Sequence, residues 1–127
     1  MTSILIDTHV ALWLLDDSPR LGPRARALLT RADAVRLSAA STGELAIKAS
    51  LGKLTLPDEL PQALEAAGLL DLPVSRRHSL AATDARLPHK DPFDAILVTQ
   101  ARLERLTFLT ADRKILDAWD EAVDARS

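Results

Sequence analysis

Apolar and polar residues fall into short blocks whose period switches along the chain. The run Ile4-Leu5-Ile6 is continuous rather than alternating, and residues 2–6 read as a short strand buried on both faces. Residues 9–15 return to helical spacing. Pro19 and Gly22-Pro23 then bracket a turn that opens a second helix through about Ala32. Ala34–Ala39 predicts another strand, and Ser41–Leu51 a helix closed by Gly52. Glu59–Ala67 is helical and ended by Gly68, and Leu69–Val74 is a strand that Pro73 assigns to a sheet edge. Ser75–Arg86 reads as a helix, residues 87–90 as a loop, and Pro92–Arg105 as the longest helix, with proline at its favoured first position. Thr107–Leu109, Asp112–Trp119 and Ala122–Ala125 complete the pattern as strand, helix and a last short strand.

Strands that alternate with helices predict a parallel sheet covered on both faces. In such a sheet the carboxyl ends of the strands share one edge, and ligands bind in the crevice where the winding direction reverses. With no internal repeat, low-complexity tract or dividing linker, residues 1–127 are expected to form a single domain.

Composition narrows the chemistry. Of the 127 residues, 47% are hydrophobic and 27% charged, the balance of a globular protein able to bury a core. Cysteine is absent, which removes thiol catalysis, iron–sulfur clusters and cysteine zinc sites. The apolar start MTSILIDTHVALWLL is interrupted by Asp7 and His9 and lacks a basic leader, so no signal peptide is expected. No apolar run is long enough to span a bilayer, and a cytoplasmic location without membrane contact is the expectation. The net charge of −2 argues against a protein that coats nucleic acid. It leaves room for local basic patches, and arginines cluster at Arg20, Arg24, Arg26, Arg31, Arg36 and at Arg76, Arg77, Arg86. Their planar forks suit phosphate, although a solvated helix face needs the same residues.

Four acids occupy the positions where such a sheet would gather ligands. Asp7 ends the first strand, and Asp112 follows the strand-like LTFLT. Glu44 and Asp94 lie in the opening turns of helices. Each has a structural alternative. Asp7 could simply cap a helix, with Thr8 assisting. Glu44 and Lys48, four apart, could be a surface ion pair. Asp91 reads as a helix cap with Asp94 as its reciprocal acid. Asp112 could answer the dipole of its helix, capped by Thr110. His89 could support a site or merely be solvated. Trp13 and Trp119 sit among aliphatic residues and read as core or interface. Taken together, clustered carboxylates raise one another's pKa, and a hard divalent cation with oxygen ligands removes that penalty.

The segments IDTHVALWLL, SAASTGELAIKASLGKL, LPHKDPFDAILVTQA and LTFLTADRKI occur in the order and at the separations of a known family. The chain resembles the PIN domain, and within it the VapC-type toxins of bacterial toxin–antitoxin pairs. The resemblance implies a three-layer α/β/α sandwich around a parallel sheet of four to five short strands. It places the acidic site on Asp7, Glu44, Asp94 and Asp112, with Asp91 nearby and Thr110 as the hydroxyl beside the last acid. It further implies a metal-dependent ribonuclease that forms a homodimer and is inhibited by a cognate VapB-like antitoxin. The closing AWDEAVDARS matches the family's last strand weakly.

All-oxygen ligands select Mg²⁺ or Mn²⁺ over zinc. Asp7 and Asp94 are expected to bind the ion directly, and Glu44 and Asp112 directly or through water, with Thr8, Lys48, Asp91 and Thr110 in support. Attack by water at phosphorus predicts 5′-phosphate and 3′-hydroxyl ends. An inert PIN scaffold that only binds a partner is the main alternative. An aspartate-based phosphatase would want a second acid where His9 stands, and a phosphoacceptor receiver domain would need an acidic pair and a later lysine that are not evident.

Overall fold

The structure, a computed structural model, describes residues 2–87 and 91–127; His89 lies outside them. Five strands form one sheet in the order β3-β2-β1-β4-β5, and every pairing is parallel. The strands are β1 (Ser3–Ile6), β2 (Ala34–Ser38), β3 (Leu69–Leu72), β4 (Thr107–Thr110) and β5 (Val123–Asp124). The helices are α1 (Thr8–Leu15), α2 (Pro23–Arg31), α3 (Ala39–Ser50), α4 (Leu60–Ala66), α5 (Arg76–Ala81), α6 (Pro92–Leu103) and α7 (Arg113–Ala118), with a 3₁₀ turn at Ala82–Asp84.

The continuous apolar strands are explained by two cores. Ile4 and Ile6 point into one, with Val10, Ala11 and Trp13 of α1, Ala25 of α2 and Leu109 of β4. Leu5 points into the other, with Leu97, Val98 and Ala101 of α6, Phe108 of β4 and Ile115 of α7. A strand covered on both sides has no polar face to alternate with. Full burial of each such side chain contributes about 1.5–3 kcal/mol. The result is the expected α/β/α sandwich.

Most elements fall within a residue or two of where the sequence places them, and two of the differences have a physical reason. α3 starts at Ala39 rather than Ser41 because β2 passes into it without a turn; Ser38 ends the strand and caps the helix by accepting from Ala40 N at 3.1 Å. Glu44 is therefore in the second turn of its helix. The helix predicted over Ser75–Arg86 tightens into the 3₁₀ turn after Ala81. Gly68, at φ +80°, supplies the left-handed residue between α4 and β3. The edge position predicted for β3 holds, and β5 forms the opposite edge.

The chain runs from β1 outward to β2 and β3, then crosses to β4 on the other side of β1. The reversal point is the β1–β4 gap. Ile6 pairs with Leu109, and the next residue, Asp7, donates its backbone N–H to Leu109 O at 2.9 Å. Asp7 and the segment leading to Asp112 are thereby held side by side at the carboxyl edge of the sheet, where ligands of open α/β sheets bind.

Candidate active site

A cleft of about 370 Å³ opens at this edge. Asp7, Thr8, Glu44, Lys48, Asp91, Asp94 and Asp112 all line it, although they come from α1, α3, α6 and the turns between elements. Thr110 lies fully buried behind the cleft. The structure thus brings the predicted residues together at one place.

Asp7 is the most enclosed of the acids, 5% exposed. As the cap of α1 it accepts from Thr8 N through Oδ1 at 2.7 Å, and its Oδ2 accepts the Thr110 hydroxyl at 2.7 Å. Burial raises its pKa and the Asp112 charge adds to that, while the Thr110 and Thr8 hydrogen bonds and the charge of His9 oppose it. Thr110 Oγ1 also accepts from Asp112 N at 3.0 Å. The sequence expectation that Thr110 caps α7 is corrected here: Asp112 is the cap, accepting from Lys114 N at 2.9 Å, and Thr110 ties that cap to Asp7.

Glu44 is held at both oxygens. Oε1 accepts the Thr8 hydroxyl at 3.0 Å, and Oε2 pairs with Lys48 Nζ at 2.9 Å. Thr8 Oγ1 also lies 2.9 Å from Ser41 Oγ. Thr8 has one hydroxyl proton, so giving it to the carboxylate leaves its lone pairs to accept from Ser41. The helix-face pair expected of Glu44 and Lys48 is real, and it sits in the cleft wall rather than on an open surface.

Asp91 caps α6, accepting from Phe93 N at 2.9 Å, and is exposed. Asp94, one turn inside the cleft, has its pKa raised from 3.8 to about 7. Burial is the largest cause, followed by the negative charges of Asp7, Asp91, Asp112 and Glu44. The four neighbouring negative charges thus add to what burial does.

The donor set suits a hard divalent cation: it is oxygen only, with net negative charge that costs free energy while uncompensated. The cage is not closed, because among the described residues no group of three acidic or histidine side chains is already gathered tightly enough to hold an ion.

Sequence reasoning missed three features. Ser41 is buried against the Thr8 hydroxyl, and no motif flags a serine inside a helix. Trp13, expected as core or interface, is a core residue at 8% exposure, and what the sequence did not show is that it also lines the cleft. Arg126 arrives there from the far end of the chain and lies over the Trp13 ring at 5.5 Å.

Comparison with known proteins bears on the family and the fold. Residues 4–120 match the family model of the PIN domain. Ribonuclease VapC22 of Mycobacterium tuberculosis (strain ATCC 25618 / H37Rv) is 30% identical over 118 residues, covering 91% of each chain. A toxin–antitoxin complex from Klebsiella pneumoniae superposes with a TM-score of 0.68 at 19% identity, covering 96% of this chain and 97% of that one. FitAcB from Neisseria gonorrhoeae gives 0.63 at 24% identity, covering 95% and 96%. At these identities the solved structures establish a shared fold.

Proposed function

This chain belongs to the PIN domain family, and from that premise we propose that it is a VapC-type endoribonuclease, the toxin of a toxin–antitoxin pair, dependent on Mg²⁺ or Mn²⁺. The observation that carries the reading is the meeting of Asp7, Glu44, Asp94 and Asp112 in one cleft, with Asp94 driven up to about 7 by its surroundings. A relative 30% identical is named a ribonuclease, and solved structures of the same fold are toxin–antitoxin complexes. The 127 residues are read as one domain.

Asp7 and Asp94 would hold the ion, with Asp112 and Glu44 joining directly or through water. When bound, a divalent ion lowers the pKa of water and offsets charge building on the phosphate oxygens. The chain's own groups set the stage. Thr110 fixes the Asp7 carboxylate and the Asp112 backbone together. Thr8 and Lys48 divide the two Glu44 oxygens between them, so that this acid keeps one orientation. Water in line with a phosphate at the cleft would leave a 5′-phosphate and a 3′-hydroxyl, with no part for the RNA 2′-hydroxyl. Single-stranded RNA is the accessible target. A homodimer and a VapB-like antitoxin whose tail covers the cleft complete the proposal.

The test is cleavage of structured and unstructured RNA with Mg²⁺ or Mn²⁺ by the native chain and by Asp7→Asn. Loss of cleavage in the variant and in excess EDTA is expected. Full activity in either condition contradicts the reading.

A further inference from the structure

The cleft that would receive RNA is lined by five carboxylates, Asp7, Glu44, Asp91, Asp94 and Asp112. A polyanion needs a cation there to oppose them. Arg20, Lys48 and Arg126 also line the cleft. Lys48 is engaged with Glu44 at 2.9 Å, and Arg20 sits in the turn before α2, its backbone N–H donating to Ser18 Oγ at 3.2 Å and its side chain without a hydrogen bond among the described residues.

Arg126 differs from both. Its backbone is pinned on either side. Ala125 N donates to Thr110 O at 2.8 Å and Ala125 O accepts from Gly22 N at 2.9 Å, while Ser127 O accepts from Arg24 N at 2.9 Å. Gly22 permits this approach, since a Cβ there would run into the backbone oxygens of Arg126 and Ser127. The head is fixed as well. Nη1 donates to Ala111 O at 2.7 Å, and the guanidinium carbon lies 5.5 Å from the centre of the Trp13 ring. Ala111 is the residue between Thr110 and Asp112, so the cation is tethered to the backbone of the acidic loop itself. Its contacts are a neutral carbonyl and an aromatic face; among the described residues its side chain makes no ion pair with a carboxylate. A guanidinium has five N–H donors, and one is committed here.

A preorganised, exposed fork beside a metal-type acidic cleft is suited to a phosphate oxygen pair. The geometry points to Arg126 as the residue that grips a backbone phosphate of the RNA strand and sets its position against Asp112. This rests on the ribonuclease reading for the class of substrate, and assigns the binding of that substrate to a residue outside the acidic set.

The test measures binding apart from cleavage. A short fluorescein-labelled single-stranded RNA is titrated with the full chain in Ca²⁺ at several salt concentrations, for the native protein, Arg126→Gln and Arg126→Lys. Cleavage in Mg²⁺ or Mn²⁺ is followed in parallel. Arg126→Gln is expected to weaken binding about tenfold and to flatten the plot of log affinity against log salt by about 0.7, the loss of one single-strand phosphate contact. KM should rise more than kcat falls. Arg126→Lys should keep the salt slope and lose affinity severalfold, because the charge remains and the fork does not; it also carries the test should the glutamine variant fail to fold. Native affinity and slope in Arg126→Gln, or native affinity in Arg126→Lys, overturn the proposal. A native chain that cleaves nothing with any divalent ion sinks the ribonuclease reading, while the binding comparison still decides on Arg126.

Discussion

Thr110 donates its hydroxyl proton to Asp7 Oδ2 at 2.7 Å, joining residues 103 apart in sequence, and Thr110 Oγ1 in turn accepts the Asp112 N–H at 3.0 Å. One fully buried hydroxyl thus locks the two strand-end acids across the β1–β4 gap. A charge-assisted bond in a dry setting is worth about 1.5–3 kcal/mol, and leaving its acceptor unmet costs more than the bond's mean value.

Thr110→Val keeps the shape and removes the proton. The expected outcome is a chain less stable by about 1–2 kcal/mol in denaturant unfolding at pH 8. Divalent-ion affinity should fall about 10- to 100-fold by calorimetry, as when an outer hydrogen bond to a ligand is lost. Thr110→Ser should recover most of both. Unchanged metal affinity in the valine variant would show that Thr110 serves packing alone.

The high pKa of Asp94 predicts a pH dependence of stability with a definite sign. Its folded-state value, about 7, lies above the ordinary 3.8, so between these values the folded chain binds more protons than the unfolded one. Stability of the metal-free protein therefore falls as pH rises from about 4 to about 7. Asp94→Asn removes its share of this slope, leaving that of Asp7, whose pKa burial also raises, and should raise the melting temperature of the metal-free chain above pH 7. The gain is on the order of 1 kcal/mol once solvent screening of a half-exposed group is discounted. Mg²⁺ should then stabilise the native chain more than the variant. A melting temperature for Asp94→Asn that sits below native across this range would contradict the assignment.

Glu44 depends on Thr8 for its orientation, through the 3.0 Å hydrogen bond to Oε1. Thr8→Val is expected to lower kcat about tenfold or more while leaving RNA binding near native, since the hydroxyl touches the acid and not the strand. Lys48→Ala should change stability by less than about 1 kcal/mol, because the pair is partly exposed. Thermal melts and initial rates of the two variants check both statements.

Gly22 has an ordinary φ of −73°, so alanine meets no backbone strain there. The clash with the backbone of Arg126 and Ser127 is the main cost, with a smaller one for alanine at the cap of α2. Gly22→Ala should destabilise by about 1–3 kcal/mol, the range for overpacking a tight site. Hydrogen exchange should quicken at Ala125 and Ser127, whose N–H groups bond to Thr110 O and Asp124 O. Native exchange there would show that the close approach is easily relaxed.

The residues that were legible in the sequence share a cause. β1 carries the apolar run Ile4-Leu5-Ile6 ended by Asp7, and α6 opens on Asp91-Pro92 before the apolar run Ala95–Val98; such signals fix both an element and its end. Asp7 and Asp112 were visible as candidates because a parallel sheet gathers strand ends at one edge. The start of α3 was not, since Ser38 is both strand end and helix cap and nothing between them marks a turn. Ser41 and Arg126 were hidden for a different reason. Their positions depend on packing against residues far away in the chain, Thr8 for one and Trp13 with Ala111 for the other. Local periodicity carries no record of such partners.

The most direct measurement is anomalous diffraction from a crystal of the native chain soaked in Mn²⁺, beside one of Asp7→Asn. The account predicts a manganese peak in the cleft, bonded to oxygens of Asp7 and Asp94, and its loss in the variant. A soaked native crystal with no peak in the cleft, or a peak indifferent to Asp7→Asn, would contradict it.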